Sequence, residues 1–370
     1  MGGYWIKNKK YKLLKNKNMK RQLIIMVLAG LFVVPVYGQH PPLDKNWEVV
    51  FQDDFNTFNT DRWLIANNFD HYGGEAQVYR TQNVYINNGK LILETKEEPY
   101  CCPPDSNLEC ERQNMTGECY QYTSGWIESR VRYKYGYFEI YAKLPGSDGY
   151  WPAFWLHGQG VDLLTNECWY NEIDVFEISG CITDTFDIGY HCDYGCPGEP
   201  KGGETTGGKI ACNYASDYHW YGIEWDRDKI TWYVDRKSVR RRNNINELKD
   251  IGIWNAIRII INTALQSPTE DCPITSNSIF PNYMYVDTVN VYRLKCDGKP
   301  VVEIPDYNTF KYGVKKSISL SGVSSLSTGE DVSLRATDFI ELTNGFEVPL
   351  GAELYLDVNP CELKLNKIRE

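Results

Sequence analysis

The sequence predicts an all-β protein built as a sandwich of sheets, and three observations carry that prediction. Apolar residues recurring every three to four positions, the mark of an amphipathic helix, are almost absent along the 370 residues. Short alternating stretches bounded by Gly, Pro, Asn and Asp recur instead. Aromatic residues make up 14% of the chain, with 27 Tyr and 11 Trp, and such side chains favour strands. A sheet of many antiparallel strands bends, and its concave face is a groove for a linear polymer.

Taken in order, residues 1–38 come first. A stretch rich in Lys and Arg precedes the apolar run Leu23–Val36, which is too short to span a bilayer comfortably. Gly38 and Gln39 follow as a cleavage point, so the region reads as a signal peptide, with Met19 a better start than Met1. The expectation is a secreted, cell-surface or periplasmic protein. No second apolar run of spanning length follows, so no integral membrane segment remains after signal removal.

Residues 39–296 hold the strand-like stretches that form the main domain. Val84-Tyr-Ile, Lys90-Leu-Ile-Leu-Glu-Thr, Gly136-Tyr-Phe-Glu-Ile-Tyr-Ala-Lys, Trp220-Tyr-Gly-Ile-Glu-Trp, Lys229-Ile-Thr-Trp-Tyr-Val-Asp and Arg258-Ile-Ile-Ile-Asn are among them. Residues 297–315, with Pro, Gly and Asp, read as a linker. Residues 316–370 shift to Ser, Leu and Val with few aromatic rings, and predict a small β-rich module.

Twelve cysteines, all after the apolar run, predict disulfides in an exported chain. Loops stapled at 101–119 and 181–212 are expected. Zinc is the rival reading at Cys192-Asp-Tyr-Gly-Cys196, but no second pair with His partners completes a four-ligand set. The net charge of −10 argues against nucleic acid, whose phosphates demand a basic surface. A neutral or weakly charged partner fits better, and flat aromatic rings stack well on sugar faces. A monomer is expected.

The chemistry concentrates in Asn171-Glu-Ile-Asp-Val-Phe-Glu-Ile-Ser179. On a strand, Glu172 and Asp174 share a face, whereas Glu177, at an odd offset, faces away. A β-bulge sets two residues opposite one and returns Glu177 to the face of the other two. Three carboxyls on one surface are costly unless they serve a purpose. Glycoside hydrolysis supplies one: a carboxylate attacks the anomeric carbon while a protonated carboxyl gives its proton to the leaving oxygen. In retaining enzymes these groups stand about 5–5.5 Å apart. Asp174, between them, is expected to raise the proton affinity of a neighbouring carboxyl through its charge. A dense aromatic run, Gly149-Tyr-Trp-Pro-Ala-Phe-Trp-Leu-His157, precedes the acids and Tyr190-His191 follows them.

At this point the sequence resembles glycoside hydrolase family 16. Glu172-Ile-Asp-Val-Phe-Glu177 matches that family's E-x-D-x-x-E signature. Phe51-Gln-Asp-Asp-Phe-Asn56, Asp61-Arg-Trp63, Tyr122-Thr-Ser-Gly-Trp126, Trp151-Pro-Ala-Phe-Trp155, His219-Trp-Tyr-Gly-Ile-Glu-Trp225 and Tyr285-Val-Asp-Thr-Val-Asn-Val-Tyr292 follow in the family's order. The resemblance implies a concanavalin-like β-jelly-roll sandwich with a concave cleft and a retaining, endo-acting mechanism through a covalent glycosyl-enzyme. It implies Glu172 as nucleophile, Asp174 as assisting acid and Glu177 as general acid/base, with no cofactor for catalysis. The Trp-Pro-Ala-Phe-Trp run looks most like the β-1,3-glucanase branch, which implies a β-1,3- or mixed β-1,3/1,4-glucan substrate. Red-algal galactan hydrolases share the bulged signature and stand as the alternative, as does a carbohydrate-binding protein on the same scaffold.

The resemblance also implies sugar contacts. Trp151 lines the subsite at the scissile bond, with Trp155 either beside it or in the core. His191 contacts substrate beside the acid/base. Glu75 sits where the family often reads N-E-L-Q, with Gly74 in place of the Asn. Trp126 stands where the family often has Arg. Trp169 is a rim platform or a core ring. Family members often hold a structural Ca²⁺ on the convex side, where Asp287 matches the carboxylate ligand and Gly89 a carbonyl ligand; an oxygen-only set suits calcium.

Overall fold

The computed structural model describes residues 41, 45–69, 75–101, 119–161, 168–194, 202–209, 212–226, 229–243, 256–296, 300–302, 314–320, 326–328, 331–342 and 346–358. The expected signal region lies outside them, as do Cys102, Cys110, Cys196 and Cys361. Among the described residues there are 21 strands, one single-turn 3₁₀ helix at Thr81–Asn83 and no α-helix.

Two largely antiparallel sheets enclose one apolar core. The ten-stranded sheet runs β15 (Lys237–Asn243), β14 (Lys229–Val234), β13 (His219–Trp225), β8 (Gly136–Lys143), β17 (Asn282–Leu294), β5 (Lys90–Cys101), β6 (Cys119–Ser124) and β3 (Gln77–Tyr79). β1 (Trp47–Asp53) joins it on β17, and β4 (Val84–Asn87) on β5. The seven-stranded sheet runs β12 (Gly202–Lys209), β11 (Thr185–Tyr194), β10 (Cys168–Glu177), β9 (Tyr150–Val161), β16 (Ile257–Leu265), β7 (Trp126–Tyr133) and β2 (Trp63–Ile65).

Period-two alternation decides which side chains meet between the sheets. Phe154 and Leu156 of β9, Ile173 of β10, Ile259 and Ile261 of β16 point inward from the seven-stranded sheet. Phe138 and Ile140 of β8, Tyr221 and Ile223 of β13, Val289 and Val291 of β17 meet them from the other. Each such side chain is worth about 1.5–3 kcal/mol when fully buried. The alternate residues of β9 and β10 are thereby turned to the outer face of the seven-stranded sheet. Two-residue turns follow their chemistry: Asn88 and Gly89, between β4 and β5, both take positive φ, the signature of a type I′ hairpin.

The tail sheet is different in kind. β18 (Pro300–Val302), β19 (Lys315–Leu320), β20 (Asp331–Leu342) and β21 (Glu353–Val358) pair in parallel, in chain order, around Ile318, Leu320, Leu326, Leu334 and Ala336. Its first strand, Pro300–Val302, lies inside the stretch read as a linker, so the module begins earlier than residue 316.

The disulfides correct one expectation. Cys101–Cys119 closes the β5–β6 connection as anticipated. Cys181, however, pairs with Cys272 across 91 residues, and Cys212 is a free thiol. Stapled loops read from neighbouring cysteines miss a bond that the sheet fold makes between distant ones.

Candidate active site

The bulge lies where the acid spacing demands it. Along β10, Glu172 faces His191 of β11 and Asp174 faces Gly189, but the next partner of Asp187 is Glu177. The register against β9 shifts as well, between Asp174 and Phe176. Val175 and Phe176 both turn into the core, at 3% and 0% exposure, and this doubled inward step returns Glu177 to the outer face. Trp232, from β14 in the opposite sheet, braces the bulge: its indole Nε1–H donates to the Asp174 carbonyl at 2.8 Å.

The electrostatics of the three carboxyls then follow from burial and from one another. Burial pushes Glu177 up, the charges of Glu172 and Asp187 push it further, and the Trp151 indole bonded to it opposes them; it reaches about 8. Asp174, 1% exposed, is pushed well above the usual carboxylate range by burial first and by Glu177 and Glu172 after it. After burial, the charges that raise Glu177 are those of Glu172 and Asp187. Tyr170 donates its hydroxyl proton to Glu172 Oε2 from the same strand.

Around the acids the structure sorts the expected contacts. Trp151 is half-buried and bonds Glu177. His191 lies nearer the other end: its Nε2 is 3.9 Å from Glu172 Oε1 and 3.6 Å from Asp174 Oδ2. It therefore lies beside Glu172 and Asp174. Trp155 and Trp126 are 6% and 4% exposed and meet edge to face at 5.5 Å. Trp155 Nε1 donates to Asn262 Oδ1 at 2.8 Å, and Asn262 Nδ2 donates to the Tyr79 hydroxyl at 3.0 Å. These two rings form a hydrogen-bonded floor under the acids, nearly closed to solvent. Glu75 bridges to Gln266 just past the end of β16 and accepts from Gln77 Nε2 at 2.6 Å, two positions beyond the Ala264–Trp151 pair. Trp169 pairs with Gly160 and Tyr194 at the far end of β10; its side chain lies outside the described residues.

Sequence reasoning missed Asp187, Tyr170, Asn262 and Trp232. Asp187 is on β11 and meets Glu177 only through strand pairing. Gly207 of β12 makes room for it, since a Cβ there would stand 2.4 Å from Asp187 Oδ1. Tyr170, two residues before Glu172 on one strand face, was within reach of the period-two rule.

The calcium expectation does not fit. Asp287 leaves the ladder at a register shift of β17 and forms an ion pair with Lys90 Nζ. An ammonium on the site's one carboxylate is the wrong neighbour for a cation that needs six to eight oxygen ligands. Asp287 and Gly89 are left with structural roles in the bulge and the turn.

The sequence profile of the glycosyl hydrolases family 16 matches residues 74–265, which span β10, its bulge and all three acids. The chain belongs to that family. Glucan endo-1,3-beta-glucosidase A1 of Niallia circulans is 29% identical over 284 residues, 68% of this chain and 39% of that protein. The kappa-carrageenase of Pseudoalteromonas carrageenovora is 28% identical over 301 residues, 69% of this chain and 68% of that protein. The catalytic domain of an endo-1,3-beta-glucanase (laminarinase) from Thermotoga petrophila RKU-1 superposes with a TM-score of 0.54 at 27% identity, over 67% of this chain and 98% of that one. The chain spans about two fifths of the Niallia enzyme's length. The family 16 fold is thus shared over the sandwich.

Proposed function

We propose that this family 16 protein is a retaining, endo-acting hydrolase of β-1,3-glucan, extending to mixed β-1,3/1,4-glucan. One observation carries the proposal: a carboxyl held at about 8, Glu177, shares a sheet face with Glu172 across a single bulge. A carboxyl raised by burial and neighbouring charge keeps its proton near neutral pH and can serve as the acid beside a second carboxyl.

In the first step Glu172 attacks the anomeric carbon while Glu177 gives its proton to the leaving glycosidic oxygen. The C–O bond breaks as the glycosyl-ester bond to Glu172 forms. In the second, water attacks that ester, Glu177 takes the water's proton and Glu172 leaves. Tyr170 donates to the nucleophile and holds its orientation. Burial and the neighbouring carboxyls raise the proton affinity of Asp174 beside it. Trp151 fixes the acid by its N–H and offers its face to the sugar beside the cleaved bond. The disulfides support export, and with it an extracellular polysaccharide as substrate.

The glucanase and carrageenase relatives differ in substrate charge, and this chain's charges favour glucan. The basic run Arg240–Arg242 lies on β15, the edge strand of the sheet opposite the acids, and so cannot meet sulfate groups at the cleaved bond. The test is a panel of laminarin, lichenan, agarose and carrageenan read by released reducing ends. Cleavage of laminarin with internal products is expected. Activity on galactans alone would overturn the glucan assignment. Glu172→Gln is expected to abolish cleavage while the protein still folds and retains glucan; full activity in it would reject the nucleophile.

A further inference from the structure

The ten-stranded sheet carries a second group of chemistry-bearing side chains, unconnected to the acids. Cys212, a free thiol, lies in the segment that leads into β13. His219 is the first residue of β13. Asp235 sits in the turn from β14 to β15, with φ of 47°. One donor atom from each of the three lies within 4.8 Å of the other two. His219 Nδ1 and Asp235 Oδ2 are 3.0 Å apart. A hydrogen bond joins the imidazole to Cys212 as well.

We propose that Cys212, His219 and Asp235 bind a zinc ion. Zinc takes thiolate, imidazole and carboxylate donors at about 2.0–2.3 Å, which sets tetrahedral donors about 3.3–3.7 Å from one another. The three donors need to close by little more than an ångström to reach that geometry. Their chemistry is also selective: a thiolate with an imidazole favours zinc over magnesium or calcium, which prefer oxygen. Thiolate, neutral imidazole and carboxylate balance the charge of Zn²⁺. Binding sends one proton from the thiol and one from the imidazolium to solvent as the Zn–S and Zn–N bonds form. Three protein ligands leave a fourth position for water.

The backbone holds two of the ligands ready. Asp235 N donates to the Trp220 carbonyl at 2.7 Å, and Trp220 N donates to Asp235 Oδ1 at 3.2 Å. The carboxylate is thus cross-tied beside His219 whether or not an ion is present. The lead-in carrying Cys212 has its own ties, from Asn213 to Thr183 and to the amides of Ala215 and Ser216. Zinc would close the β14–β15 turn onto this lead-in, a crosslink within one sheet edge.

One other grouping with metal-ligand spacing exists among the described residues, Glu172, Asp174 and His191 at the active site, and it has no sulfur. Sulfur therefore distinguishes the two. The experiment adds Co²⁺ to chelator-treated full-chain protein and reads the thiolate-to-cobalt charge-transfer band, then adds Zn²⁺ and reads the alkylation rate of Cys212 by peptide mapping. Expected are a band at one equivalent, its loss in Cys212→Ser, weakening at least tenfold in affinity in Asp235→Asn, which tolerates the positive φ, and at least tenfold protection of Cys212 by zinc. Laminarin hydrolysis by Cys212→Ser, expected unchanged, shows that the variant is folded. A missing band, a band that survives in Cys212→Ser, alkylation equally fast with and without zinc, or Cys212 mapped in a disulfide would each overturn the site.

Discussion

Glu177 governs how this site answers pH. In the proposed mechanism its carboxyl must carry a proton to serve as the acid, and at about 8 it does so through neutral pH. The alkaline limb of kcat/KM is expected to fall as pH rises through that value. Asp187→Asn removes one of the two charges that hold Glu177 up, so the limb should move to lower pH while the acidic limb stays. An unmoved alkaline limb would show that Asp187 does not act on the acid. Glu177→Gln should lower kcat by about 10²–10⁴-fold, the usual worth of a general acid. Glu139 shows the same physics without catalysis. Fully buried and bonded to Asn290 Nδ2 at 2.8 Å, it is pushed from 4.5 to about 7, mainly by burial. Between those values the folded state holds a proton that the unfolded chain has lost. Its contribution to stability is therefore present below 4.5 and is lost as pH rises toward 7. Glu139→Gln should raise stability at pH 8 by roughly 1–3 kcal/mol and leave it nearly unchanged at pH 4, read from denaturant midpoints.

Strand β10 does its work through one irregularity. Glu172 and Asp174 lie on the outer face by alternation alone; Glu177 joins them only because Val175 and Phe176 both step inward. The acid spacing made that bulge legible in the sequence, since an unbulged strand would bury Glu177 among Phe154, Ile173 and Tyr221. Deleting Val175 should turn Glu177 inward, and the variant is expected to lose both solubility and activity. The Trp232 brace was not legible, because β14 and β10 are in different sheets and far apart in the chain. Trp232→Phe keeps the ring and removes one buried N–H bond. A loss of about 1 kcal/mol is expected by calorimetry, with a drop in kcat as the bulge loosens. For the floor rings, the family resemblance implies a sugar contact at Trp126 and leaves Trp155 either beside Trp151 or in the core. Alternation put them on the right face, but their depth depends on Tyr79 and Asn262, which come from two other strands.

At the level of the molecule, residues 40–370 form one compact unit, and a buried ionic group joins the tail sheet to the sandwich. Arg335 of β20, 4% exposed, bonds Asp226 just past the end of β13, and Lys45 bonds Glu224 two residues before it. Burial would push Glu224 up, but Lys45, Lys229 and Arg335 hold it below its ordinary value. Lys45 is driven down by burial and by Arg335 and Lys229, against the pull of Glu224. Removing one member of a buried pair leaves its partner uncompensated, at a cost of about 3–5 kcal/mol. Arg335→Ala should therefore lower the melting temperature of the sandwich itself. If sandwich and tail melted separately in the wild type, the tail would be a tethered passenger instead.

The sequence by itself determined the all-β class, the strands, the bulged trio of acids and the family, because alternation and spacing are local properties that each strand states in its own residues. Only the tertiary structure decided which charges raise Glu177, that burial raises Asp174, that Cys181 reaches Cys272 and that Lys90 occupies Asp287. Each of those depends on strands brought together from distant parts of the chain. Proton affinity, moreover, is set by burial and neighbouring charge, and neither exists until the sheets have closed.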